Sequence, residues 1–428
     1  MKFLADLHIH SRFSIATSKN MDIENISVAA RKKGIAVLGT GDFTHPEWFG
    51  ELKRKLVQAG DGLYKLNKEF YCGINKFVPE TCGGTTRFIL SAEICNIYKK
   101  KGKTRKIHSV ILLPEMSLVE KLNRRLKKIG KLESDGRPVF NFDVINTLEI
   151  VFDISDRAMI FPAHIWTPWY SLFGSRAGFD SIKECFGDYT GYIFAAETGL
   201  SSDPAMCRNI SDLSGIKLIS NSDAHSPMKI GREANIFDTT FSYCSIMSAI
   251  KNGNPENFVG TVEYYPEEGK YYADGHRKCN ISFLPSETDR HGGICPVCGK
   301  AVTIGVLHRI QELSGNSENK NCSALSFKTI PLIEILSEIY QLNRGSKKLM
   351  MRYNKLLEQF GPELYILNFI DINELRNSGA SFLAEAIERM RKNEVVIKPG
   401  FDGKYGYVKI FREEEIKKHR LIKNADSD

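Results

Sequence analysis

The sequence predicts an α/β protein: a closed or nearly closed barrel, then a small metal-binding module, then a helix-rich C-terminal domain. Three observations predict it. Short apolar segments alternate with helical ones, about seven strands in the first roughly 250 residues, the order of a parallel sheet with crossover helices. Histidines and acids recur beside those apolar segments, and a barrel of this class gathers its chemistry at the C-terminal ends of its strands. Near Val262 the composition turns tyrosine- and glycine-rich and two short-spaced histidine and cysteine pairs follow, before the chain becomes helical beyond Asn319. The expected domains are 1–260, 261–315 and 316–428.

The first strand is expected from Phe3 to Ile9. Phe3, Ala5, Leu7 and Ile9 alternate with Leu4, Asp6, His8 and His10, a period of two that sends both histidines off one face. Asp22 is placed to cap a helix running to Lys33, with Gly34 just past its end. Ile35–Thr40 is a buried strand that runs into Gly41-Asp42-Phe43-Thr44-His45-Pro46, and a helix from Glu47 to Gln58 follows. Next come a strand at Arg87–Ala92 ending on Glu93, a strand that begins at His108 and runs to Leu113, and helices at Met116–Lys128 and Asn141–Phe152. Ala158–Ala163 stops at His164, Tyr192–Ala196 at Glu197, and Ile216–Ile219 at Ser220-Asn221-Ser222-Asp223-Ala224-His225. The C-terminal helices are expected at Ile330–Leu342, Lys347–Phe360, Ile372–Asn377 and Ala380–Lys392, with a basic hairpin from Val395 to Phe411 and a frayed end.

At 428 residues the chain exceeds one compact core of ordinary size. Apolar content of 42% and charge of 26% belong to a soluble globular protein rather than a disordered or fibrous one. No apolar run approaches the ~18 residues of a membrane span. Asp6, His8 and His10 interrupt the N-terminal stretch where a secretory signal needs an apolar core, so a cytoplasmic location is expected. The net charge of +8 is uneven: Lys99–Lys106 and Lys121–Lys131 are two basic clusters, suited either to a polyanion or, as a solvated helix face and an exposed hairpin tip, to water. Cys72, Cys82, Cys95, Cys185, Cys207, Cys244 and Cys322 are scattered singly, as in a reduced compartment.

A lone histidine on a strand is usually a hydrogen-bonded core residue. Here His8, His10, His108, His164 and His225, with His45 just past a strand, are accompanied by Asp6, Asp42, Glu93, Glu197 and Asp223; the strand ends that carry them are expected at one barrel mouth, His108 being the exception because it starts its apolar run. Such a set, dry and close-packed, requires cations to neutralise and ligate it. Mixed imidazole and carboxylate donors suit Zn, Mn or Fe, and their number serves two or three ions. A site of that kind activates water and stabilises phosphorus under attack. In the module, His276-x-x-Cys279 and Cys295-x-x-Cys298 supply two ligand pairs for one closed structural zinc site, with His291 as the alternative to His276. Trp166, Trp169, Tyr170 and Phe173 follow His164 directly and either wall a pocket for an extruded base or pack the barrel loops.

Asp6-Leu7-His8-Ile9-His10-Ser11, the Gly41-Asp42 turn, Glu93, His108, Pro162-Ala163-His164 and Ser222-Asp223-Ala224-His225 resemble the successive motifs of the PHP (polymerase and histidinol phosphatase) family. That resemblance covers residues 1–260 and implies a distorted seven-stranded PHP barrel, a trinuclear metal site and phosphoester hydrolysis. The implied ligands are His8, His10, Asp42, Glu93, His108, His164, Asp223 and His225, with Asp223 and Asp42 as catalytic candidates. The family's usual Thr-Asp-His motif is replaced by Gly41-Asp42-Phe43, so either Asp42 or His45 fills that role. Ile230-Gly231-Arg232-Glu233, the histidine and cysteine module and the helical tail are similar, over nearly the whole chain, to the endonuclease Q family.

The narrower resemblance implies a DNA repair nuclease. It would cut the phosphodiester 5′ to a deaminated base (uracil, hypoxanthine or xanthine) or an abasic site, leaving 3′-hydroxyl and 5′-phosphate ends. Its substrate residues would be Trp166, Trp169, Tyr170 and Arg232. Its cofactors would be two or three divalent ions (Zn, Mn or Mg) in the barrel and one structural Zn. Its partner would be damaged DNA, double- or single-stranded, which would bring it to the nucleoid; a sliding clamp is a further candidate, and no membrane is expected. Two other classes fit parts of the sequence: a PHP-type phosphomonoesterase acting on a small ester, and a non-catalytic nucleic-acid binder. The ligand motifs weigh against the last.

Overall fold

The computed structural model describes residues 1–252, 254–315 and 325–418. Cys322, the 316 boundary, Asn319 and the expected frayed end lie outside the described residues. Within them no helix is long and apolar enough to cross a membrane.

The elements run β1 (Lys2–Asp6), α1 (Ile23–Lys33), β2 (Ile35–Gly39), α2 (Pro46–Lys55), β3 (Leu56–Gln58), β4 (Tyr64–Leu66), α3 (Lys68–Asn75), β5 (Arg87–Lys100) and β6 (Lys103–Leu113). They continue α4 (Met116–Leu126), β7 (Val139–Phe140), α5 (Val144–Ile154), β8 (Met159–Pro162), α6 (Ile182–Phe186), β9 (Ala195–Glu197), β10 (Lys217–Ile219), β11 (Ala234–Asp238), α7 (Tyr243–Asn252) and β12 (Phe258–Glu263). Last come β13 (Asp274–His276), β14 (Ile281–Phe283), α8 (Pro285–Arg290), α9 (Val306–Leu313), β15 (Leu325–Lys328), α10 (Leu332–Tyr340), α11 (Lys347–Phe360), α12 (Glu363–Asn368), α13 (Ile372–Asn377), α14 (Ser381–Arg391), β16 (Val396–Lys398) and β17 (Tyr407–Lys409).

Local chemistry sets several boundaries. The Asp22 side chain accepts from the Asn25 amide at the start of α1, and Gly34 closes the helix in the left-handed region at φ 85°. Pro46 opens α2 at its first turn, where its missing N–H costs nothing. The chain turns extended at Leu56, so α2 stops before the expected Gln58 and a short hairpin of β3 and β4 follows.

The expected all-parallel sheet is corrected. β1, β2 and β5 are parallel, but β5–β6, β6–β8, β1–β11 and β11–β12 are antiparallel. The cause is a turn at Lys101-Gly102, both residues at positive φ, which folds β5 back as β6 without a crossover helix. β1, β2, β5, β6 and β8 are laddered into one sheet that also takes in β11, β12 and β15, whereas β9 and β10 pair only with each other. Backbone bonds at the mouth join that pair to the rest: Ile165 N to Glu197 O at 2.9 Å and His10 N to Ala224 O at 3.0 Å.

Alternate side chains of these strands enter two different cores, as on a sheet buried on both faces. Ala5, Val37, Ile89, Val110, Phe161, Ala195 and Ile219 meet inside, one from each strand. Leu4, Leu38, Phe88, Ile111, Ile160, Ala196 and Leu218 face the helices outside. The C-terminal helices dock on α1 through a buried ion pair, Lys33 Nζ to Glu363 Oε2 at 2.7 Å. The Tyr353 hydroxyl and the Leu332 amide also donate to Glu363. β12 runs across residue 260 and pairs parallel with β15, so one sheet reaches from the N-terminal strands to the edge of the helical region.

A candidate dinuclear metal centre beside an aromatic pocket

The mouth is assembled by turns at the ends of strands. β1 stops at Asp6, and the chain runs on extended through His8 and His10, held by Asp223 N donating to His8 O at 3.0 Å. Asp42, His164 and Asp223 lie at such turns with positive φ of 48°, 31° and 46°, strain that non-glycine residues carry mainly at functional sites. Gly199 permits the His164 turn: a Cβ there would stand 2.6 Å from the His164 Cβ. Glu93 and His108 arrive differently. Glu93 is mid-strand in β5 and His108 mid-strand in β6, because the hairpin continues past the mouth. Cys95 faces His108 and Glu93 faces Val110, so alternation puts Glu93 and His108 on one face, diagonal to each other. This corrects the expectation that the Glu93 strand ends there and that the His108 strand begins at that residue.

Two groups of ligand atoms result, each within 4.8 Å: His8, His10 and Asp223, and Glu93, His108 and His164. Glu93 joins them. Its Oε1 lies 2.7 Å from His108 Nδ1 and 3.1 Å from His164 Nε2, while its Oε2 lies 3.2 Å from His10 Nε2 and 3.7 Å from His8 Nε2. Asp223 Oδ1 stands 3.0 Å from His10 Nε2 and 3.8 Å from His8 Nε2. His225 flanks the first group, its ring 4.5 Å from that of His10 and its Nδ1 on the Asp223 carbonyl.

Behind the forward nitrogens sit two further carboxylates. Glu197 holds His8 Nδ1 at 3.0 Å and Asp42 holds His10 Nδ1 at 3.0 Å. Both are fully buried. The second Asp42 oxygen accepts from the Ser11 amide and hydroxyl and from the Ser14 hydroxyl, so its carboxylate is committed to that loop. His45 is turned away: its ring stacks on Phe13 at 4.3 Å and its Nε2 reaches the Glu133 carbonyl. Of the two residues expected to compete for that ligand position, neither enters a ligand group among the described residues.

The electrostatics fit a cation centre. Burial opposes charging His8 and His10, yet Glu197 and Glu93 around the first and Asp42, Asp223 and Glu93 around the second hold both imidazoles well above their usual range. Burial also opposes ionising Glu93, but His108, Arg137 and His10 keep it well below the ordinary carboxylate range. His108, pushed down to about 4 by burial, presents a neutral nitrogen. His8 Nε2, His10 Nε2 and Asp223 Oδ1 are buried without a hydrogen-bond partner, and these are the atoms that converge. Buried donors of borderline and hard character left open in this way suit divalent ions.

Arg137 is a member the sequence did not offer. Its Nη1 lies 3.1 Å from Glu93 Oε2, and it is carried by a segment with no periodicity. The segment is clamped to the His10 loop by Gly136 N to Phe13 O, and Gly136 lies where any Cβ would strike Asp42 and Ser14. Glu197 was legible as a strand-end acid, but nothing in the sequence showed that it stands behind His8.

Beside the ligands opens a pocket of about 480 Å3 lined by Trp169, Tyr170, Tyr271, Tyr272 and Tyr405 together with His108, Arg137, His164 and Asp223. Trp169 and Tyr170 line this pocket. Trp166 does not: it is buried, donates to Cys207 Sγ and packs on Phe173. Arg232 does not line the pocket either, since its Nε donates to the Ser222 carbonyl and braces the Asp223 loop from behind.

In the module, His276, Cys279, Cys295 and Cys298 bring one ligand atom each within 4.8 Å. His291, the alternative, stacks flat on Phe283 at 4.9 Å instead. Three sulfurs and one nitrogen at that spacing fit a closed tetrahedral site.

Comparison with known proteins agrees with this architecture. Residues 331–394 match the family model described as the MJ0043 C-terminal domain. The chain is 31% identical over 295 residues to MJ0043 of Methanocaldococcus jannaschii, a match to 67% of this chain and 36% of that protein, so the chain spans about a third of that relative's length. It is 28% identical over 425 residues to YqxK of Bacillus subtilis, covering 95% of this chain and 99% of YqxK. Among solved structures it resembles the lesion-specific endonuclease PfuEndoQ of Pyrococcus furiosus at a TM-score of 0.82 and 30% identity, over 98% of this chain and 99% of that one. A structure of endonuclease Q with a 27-mer duplex carrying an abasic lesion at the active site matches at the same TM-score and identity, over 97% and 98%. At that identity over essentially the whole of both chains, this protein belongs to the endonuclease Q family.

Proposed function

We propose that this chain is a metal-dependent DNA endonuclease that cuts beside a damaged nucleotide. The observation that carries the reading is Glu93, whose two oxygens face two separate ligand groups at the foot of an aromatic pocket. On this reading His8, His10 and Asp223 would hold one divalent ion and Glu93, His108 and His164 another, with a Glu93 oxygen facing each group and His225 at the flank. Divalent ions there would supply an activated water and neutralise charge on the phosphate. Asp42 and Glu197 act as positioning residues: each accepts the Nδ1 proton of a histidine and so fixes the tautomer that turns Nε2 forward. Asp223, at a strained turn, part-exposed and lining the pocket, would be the carboxylate to meet both a bound ion and the water it activates.

Hydrolysis adds water across one phosphodiester. A new P–O bond forms, the bond from phosphorus to the 3′-oxygen breaks, and a proton ends on that oxygen, leaving 3′-hydroxyl and 5′-phosphate ends. A lesion must leave the stack to be read, and a pocket with tyrosine and tryptophan walls offers a face to stack on. The finer reading, a cut 5′ to uracil, hypoxanthine, xanthine or an abasic site, rests on the family and on that pocket. Lys106, two residues from His108 on the same strand face and over the Tyr170 ring at 4.8 Å, supplies a nearby phosphate contact. The same reading takes the histidine and cysteine module as a structural zinc site, and residues 1–260 as a distorted seven-stranded barrel beside the 261–315 and 316–428 units.

The test is a labelled duplex with one abasic site, deoxyuridine or deoxyinosine, incubated with Mn or Mg beside an undamaged control. Nicking confined to the 5′ side of the lesion supports the reading. Release of phosphate from small monoesters without nicking refutes it in favour of a phosphomonoesterase.

A further inference from the structure

Arg137 has no role in holding ions, yet its guanidinium is built into the rim of the ligand cage. Its backbone is fixed by Asp135, which accepts from its amide at 3.2 Å, and by Gly136 packed against the His10 loop. Its guanidinium spends one N–H on Glu93 Oε2. Among the described residues no other hydrogen bond is made by that guanidinium, whose side chain is one-quarter exposed and lines the aromatic pocket with Asp223 and His164.

A permanently charged group beside a dinuclear cation site is repelled by it unless an anion lies between them. Glu93 alone is shared already with four imidazoles. The planar fork of Arg137 has further N–H donors to offer a phosphate entering from the pocket that it lines. Resting on the nuclease reading, we propose that Arg137 donates hydrogen bonds to a non-bridging oxygen of the scissile phosphate. It thereby offsets the negative charge that grows on that oxygen as the attacking oxygen adds to phosphorus, before the bond to the 3′-oxygen breaks and carries charge away on the leaving group, and so acts as a catalytic residue of the site. Its contact with Glu93 sets the angle of the fork; the open N–H groups do the work on substrate.

The experiment compares wild type with Arg137→Gln and Arg137→Lys on a duplex with one abasic site, in manganese. It follows single-turnover cleavage, affinity for the uncut duplex in calcium, metal content, and cleavage of the two sulfur-for-oxygen diastereomers at the scissile phosphate. The expected result is a fall in rate of about 10²-fold for the glutamine variant, with affinity within a few-fold and metal content unchanged. The wild type's preference between the two diastereomers should shrink in both variants, because the contact that distinguishes the two oxygens is weakened. Normal rates in both variants overturn the proposal while leaving the nuclease reading intact. So does a slow variant that has lost metal and keeps the wild-type diastereomer preference, which would make Arg137 only a brace for Glu93. A wild type that nicks nothing overturns both.

Discussion

Two carboxylates of one type do different work at this site because of what surrounds them. Asp223 has one oxygen converging on His8 and His10, whereas Asp42 is held by three donors from Ser11 and Ser14 and touches His10 only at Nδ1. Asp223→Ala should therefore lower single-turnover cleavage by about 10²–10³-fold with little change in affinity for uncut DNA, since most phosphate contacts lie elsewhere. Wild-type cutting by that variant would contradict the ligand assignment. Glu197→Ala should leave the fold intact but weaken divalent-ion binding by about 10–100-fold, read by metal titration, because His8 loses the partner that fixes its Nδ1 proton. The sequence showed the ligand types, since a period of two in Asp6-Leu7-His8-Ile9-His10 is visible by eye. It could not show which carboxylates face ions and which face imidazoles, because that depends on residues more than 180 positions apart, as His8 and Glu197 are.

At the scale of elements, the helices were the most legible part, since caps and punctuation such as Asp22 and Gly34 are local chemistry. The reach of the β5–β6 hairpin was not, although an exposed hairpin tip was one reading of its basic cluster. Its basic tip, Lys99 to Lys106, breaks the apolar pattern, yet the strands continue through it and pair residue for residue out to Lys100 and Lys103. Part of that charge is also spent locally, with Lys100 on Asp143 and Lys101 on Glu184. Two predictions belong here. Glu363→Ala strands Lys33 in the seam between α1 and the C-terminal helices, and should cost about 3–5 kcal/mol of stability, measured by denaturant unfolding. A loss below about 1 kcal/mol would mean that the seam is wet and the pair adds little. Cys298→Ser should drop one equivalent of bound zinc and lower the melting temperature, since a structural site of this type is coupled to folding of its module.

At the scale of the whole molecule, part-buried Glu268 contributes a pH dependence of stability in an unusual direction. Burial pushes Glu268 up to about 7 from 4.5, against the hydrogen bond that it accepts from Tyr264. Between those two values the folded chain holds a proton that the unfolded chain has lost, so stability falls as pH rises through that window. Glu268→Gln should therefore raise the melting temperature relative to wild type at pH 8 and change it far less at pH 5. An equal offset at both pH values would contradict this.

The claim on which the rest depends is that distant imidazoles and carboxylates form one cation cage, joined by Glu93. Native mass spectrometry on manganese- and zinc-loaded protein counts the ions directly, for wild type and for Glu93→Ala. The account predicts one ion for the cysteine group plus two at the mouth in wild type, and loss of the mouth ions alone in the variant. A wild-type chain that holds only the cysteine-group ion, or a variant that keeps every ion, would contradict it.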